Sequence, residues 1–325
     1  MIWVFGIHVT WLFMLAFASE DKQGSLITSV LRKARCVPVN KLFPTTFHLR
    51  SRDHFNLSSA TADQESKIFG NHLKPDKDVV VIVHEYLRGC DKPFTKDTIK
   101  AYLKARPKVQ LINVCWSAGF TSLEQKVGMT VGAAVGYAPS TTLVPCVGDL
   151  LAQFLKRIHQ ESHIDWDRIT LVAHSLGSQL SGDAGNKVGG KLGKIIALDP
   201  ATPLYYKTSH LHPKSAKKVV VLHTTPGQFN MGTADFYANA KTQPGCEKYS
   251  KVTQLTKALS CSHNRSYEYF IEAVLNRHAF PARKCASYAK YKEGMCEKSN
   301  STYFGPDTKV FGTYFFKTKS EKPYY

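Results

Sequence analysis

Ile169-Thr170-Leu171-Val172-Ala173-His174-Ser175-Leu176-Gly177 is the stretch whose reading decides the fold. Its first five residues form a short apolar run that suits a strand covered on both faces. Gly177 opens a segment, reaching to about residue 188, that reads as a helix. A strand that turns sharply into a helix needs small residues at the bend, and Ala173 and Gly177 provide them. Gly182 and Gly185 would let that helix approach the sheet closely. The result is a serine hydroxyl raised above a sheet at the positive end of a helix, the setting of a nucleophile more than of an ordinary turn.

Outward from that bend, further apolar runs read as buried strands: 79–84 (VVVIVH), 109–114 (VQLINV), 194–198 (KIIAL) and 219–223 (VVVLH). Residues 45–50 (TTFHLR) suggest an edge strand. Between them, Val147, Leu150, Leu151, Phe154, Leu155 and Ile158 recur at helical spacing within 143–159. A second helix fits 267–275, with Phe270, Ile271, Val274 and Leu275 on one face. Strands alternating with helices predict an α/β fold with a mainly parallel central sheet flanked by helices. With no repeat, low-complexity tract or long linker, one domain over 19–325 is expected.

Composition narrows the class. A chain of 325 residues with 43% hydrophobic and 11% aromatic content is neither a disordered tail, a coiled coil nor a collagen-like repeat. Lysine plus arginine number 43 against 25 acidic residues, a net charge of +18 that bears on partners and not on fold. Residues 1–18 carry no Lys, Arg, Asp or Glu and end in Ala16-Phe17-Ala18 before polar sequence, which predicts a signal peptide cleaved after Ala18 and a secreted, extracellular protein. In an oxidising compartment the eight cysteines read as disulfides, and no C-x-x-C pair offers zinc spacing. Pairs Cys246–Cys261 and Cys285–Cys296 each close a short loop; the partners of Cys36, Cys90, Cys115 and Cys146 stay open.

A serine hydroxyl becomes a nucleophile when a base takes its proton and a third group orients the base. Asp199 follows the run 194–198, where a carboxylate reaches the crevice at the strands' C-terminal ends. Among the later histidines, His263 lies between Cys261 and the helix at 267–275, and a disulfide beside it would fix its loop. His223, ending a strand, is the competing base; His210 and His212 lie in a lysine-rich loop, and His278 is further downstream.

The segments HSLG at 174–177, LDPATP at 198–203, GTADFYAN at 232–239, QPGC at 243–246 and CSHNRSYEYF at 261–270, in this order, resemble the pancreatic lipase family. The likeness is closest to its single-domain insect neutral lipases and phospholipases A1, and it extends over most of 36–316. It implies an α/β-hydrolase fold, lipid ester hydrolysis without a cofactor, and Ser175 as nucleophile, Asp199 as orienting acid and His263 as base. It also implies an oxyanion hole from the backbone N–H groups of Tyr86 and Leu176. Glu85 stands where the family usually has glycine; a required positive φ there would strain a glutamate, and its carboxylate would oppose a developing oxyanion.

The resemblance further implies a lid over 247–260, bounded by Cys246 and Cys261, with Val252, Leu255 and Leu259 on one helical face and Lys248, Lys251 and Lys257 elsewhere. A lid this short leans toward a polar headgroup. Residues 207–218 lack the carboxylates of the family's calcium loop, so no metal site is expected. No C-terminal β-sandwich domain, and so no colipase-type partner, is expected either. The positive charge suits an anionic lipid surface better than nucleic acid, for which no motif occurs. Sequons lie at Asn56, Asn264 and Asn300, with Asn300 the favoured glycan site. The alternative reading is a catalytically weak or inactive lipid-binding protein, like the yolk proteins that share this fold.

Overall fold

Val79–Val83 (β3) is buried at all five positions, as an unbroken apolar run demands, and it is an interior strand of a sheet that has eleven strands among the described residues. The structure is a computed structural model that describes residue 36 and residues 45–50, 58–61, 72–86, 89–116, 140–202, 209–249 and 255–325. The chain divides into a unit Met1–Leu42 and a unit Phe43–Tyr325, and every element below belongs to the second. The expected leader at 1–18 and its cleavage after Ala18 lie outside the described residues.

The strands are Thr46–Arg50 (β1), Ser58–Thr61 (β2), β3, Gln110–Cys115 (β4), Ile169–His174 (β5), Lys194–Leu198 (β6), Val219–His223 (β7), Ala234–Ala238 (β8), Pro281–Lys284 (β9), Ser301–Tyr303 (β10) and Gly312–Phe316 (β11). Their order is β10-β9-β11-β8-β7-β6-β5-β3-β4-β1-β2. From β4 to β11 every pairing is parallel; β1 and β2 at one side, and β9 and β10 at the other, are antiparallel. The expected α/β architecture with a mainly parallel sheet is the one found. Residues 45–50 are a strand but not an edge: β2 pairs outside β1. The polar SSAT of β2 carries no apolar alternation to reveal it.

Helices are Pro93–Ala105 (α1), Val144–Glu161 (α2), Leu176–Lys187 (α3), Leu255–Leu275 (α4) and Tyr288–Lys292 (α5). Alternating strand residues face opposite ways. Val80, Ile82, Val172, Ile196, Val220 and Phe236 form a buried cluster with Phe94 and Tyr102 of α1 and Tyr267 and Phe270 of α4. On the other face, Phe47 stacks on Phe154 of α2 with ring centroids 3.9 Å apart. Leaving such side chains in water would forfeit about 1.5–3 kcal/mol apiece.

Helix α4 differs from expectation. It starts at Leu255, not near Tyr267, so Cys261 and His263 sit within a helix and not in a loop before one. Its N-terminal turns fall in the segment expected as a separate lid, so the continuous helix was not read. Residues 250–254 of the expected lid lie outside the described residues; Glu247–Tyr249 is a 3-10 turn and helical backbone begins at Leu255. Disulfides join Cys246 to Cys261 and Cys285 to Cys296, as the short loops suggested, and Cys90 to Cys115. Cys36 and Cys146 are disulfide-bonded as well. Among the described residues no helix is long and apolar enough to cross a membrane.

Candidate active site

Ser175 stands between β5 and α3 with φ 54° and ψ −121°, a left-side conformation that an L-residue holds only under constraint. The constraint is visible. Ser175 N–H donates to the Leu198 carbonyl (3.0 Å), and Ala201 N–H donates to the Ser175 carbonyl (3.2 Å). The bend is thereby fastened to the end of β6, where Asp199 follows. Gly177 allows α3 to butt against β3: a Cβ there would lie 2.5 Å from the carbonyl oxygens of Val83 and His84.

Asp199 is fully buried, also at positive φ (44°). Its Oδ1 accepts from the N–H groups of Thr224 (2.8 Å) and Thr225 (3.0 Å), and its Oδ2 from the Thr225 hydroxyl (2.5 Å) and His263 Nδ1 (2.5 Å). Burial alone would raise its pKa; the hydrogen bond and charge of His263, with the two threonines, outweigh burial and hold it at about 2. An ionised carboxylate only accepts, so His263 Nδ1 carries the proton and the neutral ring leaves Nε2 free to accept another. Asp199 and His263 are thus an acid–imidazole pair built from β6 and α4.

His263 is partly exposed, while its helix is pinned on both sides. Cys261 ties α4 to Cys246, and the Ser262 hydroxyl accepts from Gln243 N–H (3.1 Å). The buried Gln243 amide donates to the carbonyls of Thr224 and Ala238 (both 2.8 Å), while its oxygen accepts from Asn239 (2.7 Å) and Tyr269 (3.2 Å). One side chain therefore joins the acid's loop, the end of β8 and the base's helix. Among the described residues the Ser175 hydroxyl forms no hydrogen bond to His263. Such bonds are commonly long before a substrate tightens them.

Beneath the serine lies a second buried pair that the sequence did not reveal. Glu85 Oε2 is 3.4 Å from His174 Nδ1, and both side chains are almost wholly enclosed. His174 Nε2 lies 3.3 Å from the His263 carbonyl oxygen, and the two imidazole centroids are 4.5 Å apart. Burial, then the charge of His263, pushes His174 below the ordinary imidazole range despite Glu85. For Glu85, burial is outweighed by the charge and hydrogen bond of His174, which hold it at about 2. Glu85 is not among the residues with positive φ, so the backbone strain expected of a glutamate there is not present. Its carboxylate is directed to His174. Tyr86 follows, mostly buried, and Leu176 opens α3, where the first N–H groups have no helical partner.

The competing histidine, His223, is committed elsewhere: its Nε2 is 2.8 Å from Asp235 Oδ1. The loop at 209–218 is held by Gln179, whose side-chain oxygen accepts from the Ser209 hydroxyl and the N–H groups of His210 and Leu211. His210 also faces Asp183 at 3.2 Å, whereas the His212 ring accepts from Lys214 N–H. The threonines that fasten Asp199 were legible only as two hydroxyl residues after β7.

Residues 15–324 match the family model described as Lipase. Pancreatic lipase-related protein 2 of Bos taurus is 30% identical over 249 residues, which cover 70% of this chain and 50% of that protein. Human pancreatic triacylglycerol lipase is 26% identical over 302 residues, covering 86% and 62%. Inactive pancreatic lipase-related protein 1 of Canis lupus familiaris is 27% identical over 264 residues, covering 74% and 53%. The chain spans about half the length of the curated relatives it matches. By that match over most of its length, by its sheet and by the residues gathered at the bend after β5, the chain belongs to the lipase family that includes the pancreatic lipases.

Proposed function

We propose that the protein is a secreted carboxylic ester hydrolase acting on lipids, a neutral lipase or phospholipase A1, with Ser175, His263 and Asp199 as its triad. The observation that carries this is the 2.5 Å hydrogen bond from His263 Nδ1 to buried Asp199, set beside a serine held at positive φ. His263 Nε2 takes the Ser175 proton as Oγ attacks the ester carbonyl. The same proton then goes to the leaving alcohol, and an acyl-enzyme remains. Water, deprotonated by His263, releases the fatty acid and restores Ser175. The N–H groups of Tyr86 and Leu176 stabilise the tetrahedral oxyanion, worth about 10²–10³ in rate per donor.

The apolar leader and the disulfides support secretion. The charge of +18 favours anionic lipid surfaces, at about 1 kcal/mol per nearby cation. Asn300 is exposed just before β10 and is the proposed glycan site. The test is labelling by a fluorophosphonate: wild type should be modified and Ser175→Ala should not. Equal labelling of the two proteins defeats the proposal. Triglyceride and phospholipid offered side by side then separate the two activities.

A second reading, lipid binding without turnover, draws on the missing hydrogen bond between Ser175 and His263 among the described residues. Turnover of a short-chain ester that disappears in His263→Ala would eliminate it.

A further inference from the structure

Three parts of the candidate site meet on one buried side chain, the imidazole of His174. It ends β5, immediately before Ser175, and is wholly enclosed. Its Nε2 lies 3.3 Å from the carbonyl oxygen of His263, on α4. A carbonyl only accepts, so Nε2 carries a proton and donates. Its Nδ1 faces Glu85 Oε2 at 3.4 Å, from the segment that follows β3. Phe94 of α1 and Tyr267 of α4 pack against the ring, with centroids 5.5 and 5.4 Å away, and limit its rotation.

Glu85 belongs to the segment that carries the candidate oxyanion donor, the N–H of Tyr86. That segment is fastened from several directions. Trp116 Nε1 donates to the His84 carbonyl (3.0 Å), and His84 Nδ1 donates to the Glu85 carbonyl (2.8 Å). Further on, Cys90 is bonded to Cys115 at the end of β4. The Glu85 side chain adds a link toward the end of β5. A buried carboxylate usually costs stability against an apolar residue of similar size, and Glu85 is only 4% exposed. Its φ is not positive, so glycine would bring no relief of strain at this position, only backbone freedom.

We propose that Glu85 is a positioning residue for ester hydrolysis: through His174 it ties the segment bearing the Tyr86 N–H to the elbow of Ser175 and to the helix of His263. The inference rests on the hydrolytic reading of the site. Neither Glu85 nor His174 touches the reacting atoms. Their part is to keep donor, nucleophile and base in one geometry. Oxyanion stabilisation acts in the transition state, so loosening the donor lowers kcat and leaves KM nearly unchanged.

The experiment compares wild type, Glu85→Gly and Glu85→Gln on 4-nitrophenyl butyrate, well below their melting temperatures. Inhibition by butylboronic acid is measured alongside, because its tetrahedral adduct on Ser175 places an oxygen at the oxyanion position. Glu85→Gly should lower kcat about 10- to 100-fold, short of the about 10²–10³ for a donor deleted outright. Boronate affinity should fall in parallel, with KM little changed. Glutamine, with the same shape and a polar end, should recover most of the loss. Glu85→Ser, too short to reach His174, should show the same split and serves if the glycine variant does not fold. A wild type inert to the ester and to a fluorophosphonate overturns the hydrolytic reading and this one with it. With an active wild type, three results overturn this proposal alone: a glycine variant as fast as wild type or faster, a loss confined to KM or to melting temperature, or glutamine as impaired as glycine.

Discussion

Glu85 and His174 face one another across 3.4 Å in the protein interior, directly under the residue that follows His174, Ser175. The carboxylate faces the imidazole Nδ1, and the imidazole packs on His263. A leucine at 85 would leave the buried His174 Nδ1 facing only apolar atoms, at a cost of about 1–3 kcal/mol. Glutamine would keep a polar group of the same shape in place. We expect Glu85→Leu to lower the melting temperature by about 5 °C and Glu85→Gln by much less. Equal melting of all three proteins would show that the pair contributes no stability.

The Asp199 pair makes stability depend on pH. Asp199 titrates at about 2 in the folded protein against 3.8 for the ordinary side chain, a depressed pKa. Its contribution, about 2 kcal/mol, is therefore fully present above 3.8 and is lost as pH falls from there toward 2. Asp199→Asn should remove that share of the acid transition, seen by urea unfolding between pH 2 and 5. The same change should lower ester turnover by about 10⁴, because an amide can fix the wrong tautomer of His263. An acid transition identical to wild type would contradict the assignment.

The sequence made the central sheet readable because β3, β5, β6 and β7 are covered on both faces and so are mostly apolar. Ser175 and Asp199 were readable for the same reason: each ends such a strand. His263 was found by its place beside Cys261, yet its helix was not, since the apolar run read as helical starts only at Tyr267 while the structure carries the helix back to Leu255. Glu85 looked like a liability because sequence gives no φ and no direction for a side chain. The Gln243 contacts depend on segments that meet only in three dimensions.

The elbow should tolerate no larger residue at 177. A methyl group there would meet the backbone carbonyls of Val83 and His84 at 2.5 Å, and backbone cannot step aside as a side chain can. Overpacking of this kind costs about 1–3 kcal/mol. Gly177→Ala is expected to destabilise by that amount in chemical denaturation, and to slow any ester turnover by shifting Leu176 N–H. A variant as stable and as active as wild type would mean that α3 is less tightly fitted than described.

Gln243 offers the most direct test of how the acid and the base are kept together. Its amide nitrogen serves Thr224 and Ala238, and its oxygen receives Asn239 and Tyr269. Thr224 N–H in turn donates to Asp199, and Tyr269 lies on the helix that carries His263. Leucine has nearly the same volume and none of these bonds, so Gln243→Leu leaves several buried polar groups unmatched. A loss of about 3 kcal/mol or more is expected, since each such group costs about 1–3 kcal/mol. Glutamate at 243 keeps the oxygen but not the donors, and should be comparably harmful. If the role were only to fill space, leucine would be the milder change and glutamate the worse one by far. Comparing the two variants by calorimetry, with turnover measured well below the melting temperature, separates packing from hydrogen bonding. Loss of turnover in a still-folded Gln243→Leu protein would mark displacement of Asp199 relative to His263.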